Sequence, residues 1–452
     1  MKSINPALNM LISEYPEHSA EEAAGIVEKT WQAGLSFKET GFAYRRELFR
    51  SLALLLRSDK NRLARLMTGE MGKIIRESEA EIEKCALCCE YYAEHAESML
   101  SDEIVATDAR RSLVVFQPLG VILAVMPWNF PFWQVFRFAA PSLMAGNVAV
   151  MKHASNVPGC ALAIEDLFLK AGFPNDVFRT LMIPSPMVEA IVVNPRVAAV
   201  TLTGSGPAGS SVASAAAKQI KKAVLELGGS DAFIVLEDAD LDRAVKVAVT
   251  ARLLNQGQSC IAAKRFIVHE AVVEEFTAGL LRAVSELQVG DPIEPATQVG
   301  PLARADLVDD MHRQVQTSVE AGATLVCGGR RPDTTGFYYL PTILGDVKKG
   351  MPAYHEETFG PVFSIIPVKS EEDAIAVAND SEFGLGGSVW TRDIVRGEKV
   401  ARKLETGAVF VNGLMKSDPR LPFGGIKKSG YGRELASYGI KEFVNIKTIW
   451  IG

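Results

Sequence analysis

The chain predicts an α/β fold built on doubly wound, mostly parallel sheets, and three features carry that expectation. Residues 20–100 alternate charged and apolar positions at helical spacing; short apolar strands then alternate with helical segments; and after Gly228-Gly229 a second strand and helix series begins. With 452 residues, 48% of them hydrophobic, the chain can bury a large core divided over two or three domains.

Taken in order, the elements are these. Arg46-Glu47-Leu48-Phe49-Arg50 and Glu79-Ala80-Glu81-Ile82-Glu83-Lys84 typify the first region, whose charges form the solvated face of amphipathic helices. Between residues 112 and 125 the period changes, and two apolar runs joined by Pro118-Leu119-Gly120 predict a hairpin. Strands are expected over 147–152, 177–183, 197–203 and 223–227, with crossover helices over 159–171, 187–194 and 207–219. The second series predicts strands over 232–236 and 265–269, helices over 241–254 and 272–287, and further units up to residue 412. Residues 441–451 alternate apolar and polar side chains as an edge strand does; with the hairpin they form a plausible oligomer contact.

Composition excludes several functions. The net charge of -6, with no basic run, argues against nucleic acid or an anionic membrane as partner. The apolar stretch 121–151 is broken by Pro127, Asn129, Pro131, Gln134, Arg137, Pro141 and Asn147, so it belongs in a globular core. No secretory signal is visible at the N-terminus, which predicts a cytoplasmic protein with six free thiols. Cys85 and Cys88 have CxxC spacing but lie, with Cys89, inside a helical pattern without a second pair, and no histidine cluster appears. No metal is expected.

Five segments carry candidate chemistry. Cys260 stands in Asn255-Gln256-Gly257-Gln258-Ser259-Cys260-Ile261-Ala262-Ala263, where small neighbours leave room for a substrate and for free backbone N–H groups. A buried cysteine of this size also suits a plain core position. Thr203-Gly204-Ser205-Gly206-Pro207-Ala208-Gly209 joins a strand to a helix and satisfies G-x-G-x-x-G, a helix N-terminus suited to phosphate, although such turns also occur as plain tight turns. Lys152 and Ser155 follow a strand of the same sheet and can reach an adenosine ribose or its phosphate. Asn129, in the rigid segment Met126-Pro127-Trp128-Asn129-Phe130-Pro131, must satisfy its amide internally or offer it to a ligand. Glu226 ends an apolar strand before Gly228-Gly229, where burial can raise its pKa and make it a base.

Together with Glu357-Thr358-Phe359-Gly360-Pro361 and Pro422-Phe423-Gly424-Gly425-Ile426-Lys427-Lys428-Ser429-Gly430, these segments resemble the aldehyde dehydrogenase superfamily, in order and from the N-terminal helices to the last strand. Within it, the stretch from Lys152 to Pro158, the stretch from Ser259 to Arg265 and the compact length look like the short bacterial succinate-semialdehyde dehydrogenases. The resemblance implies a Rossmann-type cofactor domain (residues 1–100 and 119–229), an α/β catalytic domain (230–421) and a small β oligomerisation element (101–118 and 432–452), assembled as a homodimer or homotetramer.

It also implies roles. Cys260 attacks the aldehyde, Asn129 and the Cys260 N–H hold the oxyanion, and Glu226 activates water for hydrolysis of the thioester. Met126, Trp128, Lys152, Ser155, Thr203, Gly204, Ser205, Gly209, Leu227, Glu357 and Phe359 are expected at the cofactor. Ser155 repels no 2′-phosphate and Lys152 attracts one, so NADP is favoured with NAD possible; His153 adds charge only if protonated. Arg137 is expected to bind a carboxylate at the far end of the substrate, among Phe130, Trp133, Ser259, Ile261 and Ser417, with a structural ion pair as its alternative. Leu254 replaces a second arginine found in some relatives; Arg252, two residues earlier, points elsewhere, leaving Ser417 or Arg420 to complete the anion site. Ala262 removes the second cysteine of a redox switch. The expected reaction is oxidation of succinate semialdehyde to succinate. Glutarate semialdehyde or a range of aliphatic aldehydes are alternative substrates, and a coenzyme A-acylating dehydrogenase or a non-catalytic structural protein are alternatives of another class.

Overall fold

In the computed structural model, which describes all 452 residues, the helical periodicity of the first hundred residues resolves into four helices preceded by a hairpin. The hairpin is β1 (Lys2–Asn5) with β2 (Met10–Glu14), and the helices are α1 (Ala20–Phe37), α2 (Phe42–Ser58), α3 (Lys60–Met71) and α4 (Ile75–Met99). A Ser19/Glu22 capping box starts α1, and Gly72, at φ +79°, stops α3. The hairpin has no counterpart in the sequence reading.

After β3 (Glu103–Val105) and β4 (Arg111–Pro118) the chain alternates: β5 (Val121–Met126), α5 (Trp133–Met144), β6 (Val148–His153), α6 (Pro158–Lys170), β7 (Phe178–Thr180), α7 (Val188–Val193), β8 (Val197–Thr203), α8 (Gly206–Lys218) and β9 (Lys222–Glu226). These five strands lie parallel in the order β9-β8-β5-β6-β7. The order reverses between β5 and β8, so their carboxyl ends open the crevice where such sheets bind ligands. Met126 to Asn129 and Thr203 to Ser205 leave the sheet at that crevice. Here the expected strands and helices agree with the structure to within a few residues.

The hairpin expected over 112–125 does not form. β4 pairs instead with the last strand of the chain, and β5 enters the parallel sheet, buried along nearly all its length. Pro118-Leu119-Gly120 is therefore a crossing between two sheets, with Gly120 at φ +124°. Local alternation marks two strands but cannot say which partners they take.

The second series runs β10 (Asp231–Val235), α9 (Leu241–Leu253), β11 (Ala263–His269), α10 (Val273–Ser285), α11 (Ala305–Glu320), β12 (Thr324–Cys327), β13 (Thr342–Gly345), α12 (Pro352–His355), β14 (Val362–Val368), α13 (Glu371–Asn379), β15 (Phe383–Gly384), β16 (Gly386–Trp390), α14 (Ile394–Ala401) and β17 (Ala408–Val411). Its seven-stranded sheet has the order β12-β13-β14-β11-β10-β16-β17, parallel except at β12. Alternate residues feed opposite faces: Ile234 and Ile267 enter one core, Phe233 and Phe266 the other.

The tail holds β18 (Ile426–Lys427), β19 (Gly430–Tyr431), α15 (Ala436–Ile440) and β20 (Val444–Ile451). β19 adds antiparallel to the edge of the first sheet at β9, and α15 packs on α4 and α5. Residues 432–443, expected in the oligomerisation element, thus belong with the first domain, and only β20 joins the sheet β20-β4-β3. No helix is long and apolar enough to cross a membrane. Cys85, Cys88 and Cys89 are fully buried on α4, and no cluster of His, Cys, Asp or Glu is placed to hold a metal ion.

Candidate active site

The two large sheets face each other across a cavity of about 240 Å³ that gathers residues from both. β9 ends at Glu226 on one side; Cys260, three residues before β11, stands on the other. Ten of the expected residues line it: Trp128, Asn129, Thr203, Gly204, Ser205, Glu226, Leu227, Cys260, Glu357 and Phe359. Trp128 and Phe359 meet edge to face, their ring centroids 5.9 Å apart.

The loop that carries Cys260 is held in an uncommon backbone. Asn255 and Gln256 have φ of +54° and +55°, and Gly257 +80°. Two consecutive non-glycine residues in the left-handed region cost free energy, so the surroundings must impose the shape. Arg252, fully buried, donates to the carbonyls of Ala263, Gly257 and Thr358, and the Asn255 N–H donates to Glu77. A Cβ on Gly257 would stand 2.3 Å from the Gly360 carbonyl oxygen, so no larger residue fits. Arg252 therefore braces the loop and is not available to a ligand.

Asn129 is tied to the same loop. Its Nδ2 donates to the Gln258 carbonyl (3.0 Å), and its own carbonyl accepts from Asn255 Nδ2 (2.7 Å). The second N–H of the Asn129 amide and the Cys260 N–H make no bond within the protein, leaving two donors on residues that line the cavity. Lys264 Nζ donates to the carbonyls of Ser259 and Cys260 and to Glu357, whose carboxylate also accepts from the Gly229 N–H. Burial pushes the Cys260 thiol up to about 12; Arg137 and Lys264 pull it down, and Glu357 and Glu226 push weakly upward.

Glu226 is 2% exposed, and neither of its carboxylate oxygens has a hydrogen-bond partner in the protein. Burial holds it well above the usual carboxylate range, opposed by Arg137 and Arg433 and reinforced by Glu434. A buried, unpartnered carboxyl beside a thiol is suited to take a proton from water.

Arg137, expected at the far carboxylate of the substrate, has partners within the protein. It is 1% exposed, its guanidinium forms an ion pair with the buried Glu434, and it also donates to Thr203 Oγ1 (3.2 Å) and covers the Phe423 ring. With Glu434 and Glu226 both near it, an added anion would meet two carboxyl groups. The structural ion pair is what the chain builds, and breaking such a buried pair costs about 3–5 kcal/mol. Arg420 is likewise committed, to Asp418.

The remaining expected residues surround the cavity without lining it. Met126 is buried at the end of β5, and Gly209 lets α8 close on Leu227, whose Cδ2 would stand 2.6 Å from a Cβ there. Ser259 contributes its carbonyl to Lys264, Ile261 faces Met415 across a small gap, and Phe130 lies under Lys73 Nζ at 3.8 Å. Trp133 and Ser417 are bonded to each other, the indole N–H donating to the hydroxyl (3.1 Å).

A second cavity, about 210 Å³, opens on the far side of the first turn of α8. Lys152 lines it with Val125, Leu202, Ser211 and Glu189, and Lys152 Nζ donates to Ser185 (3.3 Å). Burial lowers the Lys152 pKa, so an anionic ligand here would gain a partly desolvated cation. Ser205 caps α8 without a side-chain bond, leaving its first N–H groups free for a phosphate. Apolar walls, a lysine and a free helix N-terminus fit an adenosine diphosphate moiety. Ser155 is exposed beyond β6 and itself carries no charge to oppose a 2′-phosphate. His153 is buried against the Pro131 carbonyl and pushed down to about 4, so it adds no charge.

Lys264, Glu434, Arg304 and Gln134 were missed from sequence. Lys264 carries a signal, four residues past Cys260, whereas Glu434 meets Arg137 from 297 positions away.

Comparison with known proteins agrees with this geometry. The Aldehyde dehydrogenase family profile matches residues 1–449. The chain is 55% identical over 449 residues, 99% of each protein, to a Synechocystis protein named "Probable succinate-semialdehyde dehydrogenase", NADP(+) type. It is 49% identical to the NADP(+) succinate-semialdehyde dehydrogenase of Mycobacterium avium, covering all of this chain and 96% of that one. The structure superposes with a TM-score of 0.98 on the succinic semialdehyde dehydrogenase of Streptococcus pyogenes solved with NADP+, at 39% identity, covering 100% of this chain and 99% of that chain.

Proposed function

The chain belongs to the aldehyde dehydrogenase family, and from that premise we propose that it oxidises succinate semialdehyde to succinate with NADP, through a thioester on Cys260 that Glu226 helps to hydrolyse. The observation that carries the chemistry is the convergence of Cys260, Asn129 and Glu226 on one cavity. The substrate and the cofactor are those of the similar NADP-dependent succinate-semialdehyde dehydrogenases.

The Cys260 sulfur attacks the aldehyde carbon as thiolate, favoured by the positive charges of Arg137 and Lys264. The oxyanion that forms faces the free Asn129 N–H and the Cys260 N–H, donors aimed at charge absent from the ground state. NADP, when bound, takes up the hydride that leaves the aldehyde carbon. Glu226 then removes a proton from water, the hydroxide adds to the thioester carbonyl, and the Cys260 thiolate departs as the acid forms. Glu226 sets this reading apart from coenzyme A acylation, in which a second thiol replaces water.

Lys152, Ser185 and the first turn of α8 would hold the adenosine phosphates; Trp128, Glu357 and Phe359 would hold the nicotinamide end. Lys152 together with Ser155 favours NADP over NAD. The sheet β20-β4-β3 leaves Ile104, Ile446, Trp450 and Ile451 exposed, which supports a homodimer or homotetramer closed over it. Six free cysteines suit a reducing, cytoplasmic setting.

Steady-state kinetics on C3 to C6 aldehydes, with and without a terminal carboxylate and with each cofactor, test the assignment. Succinate semialdehyde with NADP should exceed both butanal and the NAD reaction in kcat/KM by about tenfold or more. Equal values for butanal and succinate semialdehyde would sink the substrate assignment.

A further inference from the structure

Lys264, at the start of β11, spends all of its donors inside the site. Its side chain is 1% exposed, and Nζ donates to the carbonyls of Ser259 (2.9 Å) and Cys260 (2.8 Å) and to Glu357 Oε1 (3.0 Å). An ammonium has three N–H groups, so none is left for a ligand. Glu357 Oε1 also accepts the Gly229 N–H (3.0 Å), whereas Oε2 makes no bond within the protein. One oxygen is fixed, and the other is free on a residue that lines the cavity with Cys260.

The backbone is shaped for this knot. A Cβ on Gly229 would stand 2.6 Å from the Cys260 carbonyl oxygen, and one on Gly228 would collide with the Glu357 carboxylate. Two glycines therefore let the chain between Glu226 and β10 close on the nucleophile's turn and on Glu357 together. Gly229 and Glu357 precede β10 and β14, and Lys264 opens β11 between them, so the knot sits at the amino ends of three neighbouring parallel strands. Lys264 is the only donor to the Cys260 carbonyl and the only side chain bonded to the Glu357 carboxylate.

In the proposed reaction Cys260 carries the reacting carbon, and Glu357 holds the nicotinamide end of NADP. A firm link between the two fixes the approach of hydride donor to acceptor, and a misplacement of about 1 Å can cost about a hundredfold in rate. We propose that Lys264 is a positioning residue that ties the Cys260 turn to Glu357 and so sets the approach of the reacting carbon to the cofactor. The proposal rests on the function proposed above. The charge of Lys264 also favours the Cys260 thiolate against burial, so position has to be separated from charge.

Lys264→Met removes both, and two rate constants measured at one pH tell them apart. Iodoacetamide labelling of Cys260 without cofactor reads the thiolate fraction. First-turnover formation of reduced cofactor, at saturating succinate semialdehyde and NADP, reads thiolate and geometry together. Each is normalised to the sites that iodoacetamide titrates in the same preparation, so that misfolded enzyme does not count. The first-turnover rate should fall at least about tenfold more than the labelling rate. In a Glu357→Ala background this excess should disappear, because the tether has nothing to hold. Falls equal within about twofold, or an excess that persists in Glu357→Ala, would overturn the tether and leave the proposed function standing. A wild type that reduces no NADP with succinate semialdehyde overturns both.

Discussion

A thiol pushed up to about 12 is almost wholly protonated at neutral pH, so Cys260 at rest reacts through a small thiolate fraction that grows about tenfold with each unit of pH. Arg137 and Lys264 are the charges that enlarge this fraction. Glu226 must also be ionised to take a proton from water, and its pKa is raised too, so both requirements push activity toward alkaline pH. Iodoacetamide labelling of Cys260 in the cofactor-free enzyme, followed by peptide mass spectrometry, should still accelerate at about pH 9.5, where an ordinary thiol of pKa about 8.5 has levelled off. Lys264→Met should slow it at every pH below the plateau; a plateau near neutrality in the wild type would contradict the assigned electrostatics. The residues proposed to react were legible as candidates because each sits in a short string whose residue types suit its chemistry. Arg137 was not: its partner Glu434 returns from the far end of the chain, and no spacing announces an ion pair across 297 positions.

At the scale of elements, strands and helices were readable from periodicity, and their partners were not. The run 112–125 holds two strands, as its alternation indicates, yet they enter different sheets, because β4 finds β20 at the end of the chain. The same blindness put residues 432–443 with the wrong element, since β19 and α15 return to the first domain before β20 begins. The left-handed run Asn255 to Gly257 had only Gly257 as a visible mark; its bracing by Arg252 and Glu77 is tertiary. The three-stranded sheet now makes a specific demand. Trp450 is 57% exposed and Ile446 60%, on an edge strand with unpaired backbone. Light scattering after size exclusion should find a dimer or tetramer for the wild type and a smaller species for the double variant Trp450→Asp, Ile446→Asp. A wild-type monomer would remove the oligomeric reading.

Across the whole molecule, the doubly wound order places the ligand crevice at the carboxyl ends of β5 and β8, and the second sheet brings Cys260 against it. Each sheet supplies part of the cavity's candidate residues: Asn129 and Glu226 come from the first, Cys260 and Glu357 from the second. The fold class was legible because the strand and helix rhythm repeats over most of the chain, whereas the meeting of the two sheets depends on contacts that no local pattern encodes. The division of labour predicts that oxidation and hydrolysis are separable. The most direct test is rapid mixing of Glu226→Gln with succinate semialdehyde and NADP, following reduced cofactor and succinate together. A burst of about one reduced cofactor per active site, followed by little or no succinate release, is the predicted result. Succinate production at the wild-type rate would contradict the assignment of Glu226 as the base that completes the reaction.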